Sequence, residues 1–84
     1  MPYITPDARD CLDSGGYPDN PGELNYLLTM VLLDYVNHHG HSYSVFNAMI
    51  GALECAKLEL YRRMVAPYEE VKMEVNGDVY VNDA

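Results

Sequence analysis

Tryptophan is absent from these 84 residues, phenylalanine occurs once, and there are only two cysteines. Cys11 and Cys55 lie far apart, and Cys55 sits beside Ala52 and Ala56 in a helical pattern. A thiol in that setting reads as a small core residue rather than a half-cystine, so a disulfide framework is not the expected source of stability. Basic residues are also scarce, 5 against 13 acidic, for a formal net charge of −8. Unspecific affinity for nucleic acid or an anionic membrane depends on Lys and Arg and is therefore disfavoured. No apolar run approaches the roughly 20 residues of a membrane span, and no segment has the charged start and apolar stretch of a signal peptide. The expected location is the cytoplasm. The expected partners include neither membrane nor directly bound nucleic acid. There is no Walker loop, Gly-x-Gly-x-x-Gly, Cys-x-x-Cys or His-Glu-x-x-His, and no internal repeat or low-complexity tract.

A chain of this length reads as one domain, residues 1–84, divided into an N-terminal arm (1–19), a helical hairpin (20–66) and a C-terminal turn of helix with a tail (67–84). Small chains bury a modest fraction of their surface and usually need a disulfide, a metal or a partner chain. In the arm, Thr5-Pro6-Asp7 predicts a helix with Thr5 as N-cap, which Ser14-Gly15-Gly16 must end. Asn20-Pro21-Gly22-Glu23 predicts the start of the first long helix, with a cap, a proline in the first turn and a capping-box acid. Leu24, Leu27, Leu28, Val31, Leu32 and Tyr35 then recur at helical spacing, and Gly40 ends the run. At about 100° per residue, Tyr26, Met30 and Leu33 form a second apolar patch.

The short link from His38 to Ser42 favours an antiparallel hairpin, with the second helix capped by Ser44. Phe46, Met49, Ile50, Leu53, Leu60 and Met64 form its main stripe, and Ala48, Gly51, Ala52 and Cys55 a small-residue side. Pro67 is expected to interrupt this helix or to open a new one, Asn76-Gly77 to stop a further turn, and Val79-Tyr80-Val81 to form a short strand or an extended tail. The expected class is all-α. Two helices with two apolar faces each are hard to satisfy in so short a monomer, so the core is expected to be completed by homo-oligomerisation.

Candidate chemistry is sparse. His38, His39 and His41 lie near Asp34, but adjacent histidines at a helix end point apart, and such residues are ordinary beside the negative end of the dipole. No metal and no cofactor is expected. Glu54 and Glu59 fall on different faces, and Glu-x-x-Glu followed by Glu-x-x-Asp is absent, so a metal-dependent nucleotide pyrophosphatase is the least favoured reading. Three of the five cations, Lys57, Arg62 and Arg63, fall within seven positions. Guanidinium forks hold phosphate oxygens, and Tyr26, Tyr61 and Tyr68 supply rings that stack on bases. These six are the candidate ligand residues of a non-enzymatic site. Ordinary pairing of the cations with Glu54, Glu59 or a neighbouring subunit's acids is the competing explanation.

Glu23-Leu24-Asn25-Tyr26, Gly51-Ala52-Leu53-Glu54-Cys55-Ala56-Lys57-Leu58-Glu59, Tyr61-Arg62-Arg63, Val65-Ala66-Pro67-Tyr68-Glu69 and Asn76-Gly77-Asp78-Val79-Tyr80 together resemble a family of short tailed-phage proteins of unknown function. The resemblance covers most of residues 20–80. Leu60 departs from the Phe common in that family, and the His-rich turn is variable there, which weighs against a metal role. No activity comes with the resemblance; it implies a setting. The expectation is an oligomeric phage accessory protein that sequesters a nucleotide-type signal, cyclic or linear, and so blunts host immunity. The alternative is an acidic inhibitor that occupies the basic nucleic-acid groove of a host defence complex.

Overall fold

The computed structural model describes residues 1–80. Four α-helices and one π-helical turn follow in order: α1 (Pro6–Asp13), α2 (Pro21–His39), α3 (Tyr43–Leu60), the π turn Tyr61–Val65 and α4 (Ala66–Asn76). No strand occurs among the described residues, so the chain is all-α there. Its contacts fall into two units, Met1–Asn47 and Ala48–Ala84.

In the first unit, Thr5 caps α1 by accepting from the Ala8 N–H at 3.2 Å, with Pro6 in the opening turn. The helix stops at Ser14, and Gly15 adopts φ +100°, a conformation that costs a residue with a Cβ about 1 kcal/mol or more. Asn20 caps α2 by accepting from the Glu23 N–H at 2.9 Å. Glu23 reaches back, but to the Asp19 N–H at 3.1 Å and the Asn20 side chain at 3.2 Å. The reciprocal cap is thus shifted by one residue from the usual box. Gly40, at φ +93°, ends α2 as the sequence predicts.

The arm is not loose: α1 packs on α2, and Leu12, Tyr26 and Val36 are the buried side chains. Tyr26 lies in the smaller of the two apolar patches of α2. The larger stripe stays open, with Leu24, Leu28, Val31 and Tyr35 all exposed.

The cap of α3 is Ser42, not Ser44. Its Oγ accepts from the Val45 N–H at 3.2 Å and its carbonyl accepts the Phe46 N–H at 3.0 Å. Ser44 lies inside the first turn, within hydrogen-bond distance of the Ser42 hydroxyl at 3.3 Å.

In the second unit, Pro67 does not break the helix. Residues 61–65 widen into a π turn in which the Ala66 N–H reaches the Tyr61 carbonyl, five residues back. A proline inside an ordinary α-helix collides with the carbonyl four residues earlier. Here Pro67 falls in the first turn of α4, directly after the widened turn, so the helical path runs unbroken from Tyr43 to Asn76. Gly77 at φ +91° then ends it, donating its N–H to the Met73 carbonyl at 2.8 Å. Val79 and Tyr80 form no strand, and Val81 lies outside the described residues.

From Gly51 to Tyr80 only Ala66 escapes the exposed class, and no residue is buried. No helix among the described residues is long and apolar enough to cross a membrane.

Candidate functional site

Lys57, Tyr61, Arg62, Arg63 and Tyr68 all lie on the continuous helical path of the second unit. The Lys57 ammonium pairs with Glu54, one turn back, at 3.1 Å, and both side chains are more than half exposed. Arg62 directs Nη2 to both carboxylate oxygens of Glu59, at 3.0 and 2.9 Å. One nitrogen makes both bonds, so the guanidinium fork keeps other N–H groups for a ligand. Such i,i+3 pairs on a wet helix surface contribute roughly 0.2–0.5 kcal/mol and are easily exchanged for a phosphate. Arg63 forms no ion pair among the described residues.

The two tyrosines are held differently. The Tyr61 hydroxyl donates to Glu69 Oε1 at 2.7 Å, spanning the π turn. That bond, with the negative charge of Glu69 behind it, raises the phenol pKa above its ordinary value of 10.0. Tyr68 lies under the Lys72 ammonium, 5.7 Å from the ring centroid, a cation–π distance. The sixth candidate, Tyr26, belongs to the other unit. It is buried at the α1–α2 contact and donates to Asp13 Oδ1 at 2.9 Å. Burial first, and the Asp13 bond second, raise its pKa above 10.0. Its ring and hydroxyl are thus occupied by the core of the first unit.

Sequence reasoning did not find the groove of about 600 Å³ that opens beside Tyr61. Glu69, Glu70, Lys72, Asp78 and Tyr80 are among the residues that line it. Three carboxylates against one ammonium make it acidic. The helix stop at Asn76-Gly77 was legible, but not the course of the chain beyond it.

The histidines make ring contacts rather than a shared centre. Tyr35 and His39 lie 4.3 Å apart, His38 and His39 4.8 Å, and His41 and Phe46 6.0 Å, between ring centroids. Among the described residues no three His, Cys, Asp or Glu side chains converge as a metal site would require.

No curated protein and no solved structure matches the chain. A family model does match, over residues 1–79, and the chain belongs to that family, described as Domain of unknown function (DUF6899).

Proposed function

We propose that the protein is a non-enzymatic binding protein that works as a homo-oligomer and captures a nucleotide-type ligand on the cations of its long helical segment. The observation that carries this reading is the exposure of Lys57, Tyr61, Arg62, Arg63 and Tyr68 on a path without any buried side chain. These groups are offered outward, and Arg63 forms no ion pair among the described residues. A single convex helix cannot enclose a small ligand, because ligand sites are concave and bury most of what they bind. Helices from further copies, in the hairpin and oligomer that the apolar patterning calls for, would supply the remaining walls. Lys57, Arg62 and Arg63 would take phosphate oxygens, with Tyr61 and Tyr68 against the base. Tyr26 is better understood as a core residue of the first unit than as a wall of this pocket. In the phage setting implied by the sequence resemblance, the captured molecule would be a signal of host immunity.

A second reading is favoured by one observation, the acid-lined groove beside Tyr61. With a net charge of −8, it suits a basic protein partner, as an inhibitor of a host nucleic-acid-binding complex would require.

The experiment is thermal stabilisation of the purified protein by linear and cyclic nucleotides, for the native chain and for K57A/R62A/R63A. Capture predicts stabilisation by at least one nucleotide that the triple variant loses while keeping its oligomeric mass. Indifference of the folded native protein to every nucleotide overturns capture. Salt-sensitive binding of a basic partner would then favour the inhibitor reading.

A further inference from the structure

The π turn has a geometric effect on the apolar pattern. Through α3, Met49, Leu53, Ala56 and Leu60 advance by four, three and four residues, which keeps them on one side of an α-helix. The next apolar positions, Met64 and Tyr68, come at two successive steps of four, and a regular α-helix would carry them about 40° off that side per step. The π turn at Tyr61–Val65 removes this drift by taking one additional residue into a single turn. Val71 and Val75 then resume the spacing of three and four along α4. Eight side chains, from Met49 to Val75, thus share one stripe, and none of them is charged.

We infer that this stripe is the seam on which a second copy of the same chain docks, through the same residues. Three observations select that occupant. First, the seam is needed whenever the chain is folded. Leu53, Leu60, Met64, Tyr68, Val71 and Val75 stand 38–74% exposed, and a lone helical segment without a packed face is marginal in water. Another copy of this chain is the partner present at every moment of its synthesis and folding.

Second, the area suits a stable pairing of standard size. The exposed parts of these side chains sum to roughly 700–800 Å² per copy, on the scale of the roughly 800 Å² that each partner contributes to a stable interface. Third, the seam carries no charge although the chain has a net charge of −8. A foreign partner recruited by that acidity would meet carboxylates at the centre of its contact. An uncharged centre with charges at the margins is instead the composition of an obligate self-interface.

This rests on the oligomeric part of the function proposed above and is independent of its ligand. Two measurements test it in the full-length chain. Leu60→Glu places a carboxylate on each side of the seam; light scattering should show the native protein as an oligomer and the variant shifted to monomer. Because Leu60→Glu can also unfold the chain, a photo-crosslinking residue is placed at Val71, on the seam, or at Leu58, about 160° around α3 from Leu60. Seam crosslinking should yield adducts of twice the chain mass at least tenfold in excess of the Leu58 control. A monomeric native protein, or equal adducts from both positions, overturns the seam. K57A/R62A/R63A that stays oligomeric but loses nucleotide binding tests the ligand alone, so the two ideas fail separately.

Discussion

The Tyr61 hydroxyl and the Glu69 carboxylate, eight residues apart, meet at 2.7 Å and fasten the start of the π turn to α4. An i,i+7 or i,i+8 pair lies two turns apart on a regular helix, beyond the usual i,i+4 reach. The long phenol, laid along the widened turn, spans that distance. Both residues line the acidic groove, so loss of their bond should be felt both in helix order and in the groove.

Glu69→Gln should lower the Tyr61 pKa toward the ordinary phenol value, since the carboxylate bond and charge are its leading causes. A group with a raised folded-state pKa stabilises the fold fully below its unfolded pKa and loses that contribution as pH rises through the folded value. The Tyr61–Glu69 link should therefore hold through neutral pH and fail only in the alkaline range above 10. Ultraviolet phenolate titration of the native chain against Tyr61→Phe and Glu69→Gln checks this. An unchanged titration curve in Glu69→Gln would contradict it.

Leu12→Ala should release α1 from α2. Leu12 is one of three buried side chains among the described residues, and truncating a buried leucine costs about 2–4 kcal/mol. Hydrogen exchange should show amides of Pro6–Asp13 exposed in the variant while those of Ala66–Asn76 are unaffected. Tyr26→Phe, which removes the bond to Asp13, should move the same amides in the same direction by a smaller factor.

Asn20→Ala should cost about 1 kcal/mol through the lost cap of α2. Gly77→Ala should cost roughly 1–3 kcal/mol by forcing a Cβ into φ +91° and ψ 149°. Thermal denaturation reads both, and Ser44→Ala serves as a control. Ser42, not Ser44, holds the cap of α3, so Ser42→Ala should be the more destabilising of the two serine changes.

Local signals carried much of the fold. Thr5, Asn20, Gly40 and Gly77 each mark a helix end through backbone chemistry confined to a few residues, and each does so in the structure. Where two nearby residues competed, local chemistry was ambiguous: Ser42 and Ser44 differ only in which one precedes the first helical turn. Pro67 is compatible with either a break or a new helix start, because its effect depends on the turn before it; the structure has it in the first turn of α4, and nothing in Tyr61-Arg62-Arg63-Met64-Val65 announces a π turn by itself. The apolar spacing does announce it, since two successive steps of four after Leu60 drift off the stripe unless one residue is absorbed.

The candidate site was legible as a set of residue types but less so as a place. Lys57 and Arg62 have carboxylates one turn away, as i,i+3 spacing implies. Tyr26 has a polar partner in a segment thirteen residues earlier, which no periodicity within α2 could reveal. Patterning also separated two apolar faces of α2; of the smaller one, Tyr26 is buried where α1 packs and Leu33 stays exposed. The exposed stripe of Leu24, Leu28, Val31 and Tyr35 is a second uncovered surface.

The central claim is that copies of this chain complete one another's core, and native mass spectrometry of protein purified from cells tests it most directly. The account predicts one defined oligomer, with mass in excess of the bare chains where a nucleotide is carried, and no stable monomer at low collision energy. A folded, cooperative monomer as the sole species would contradict it.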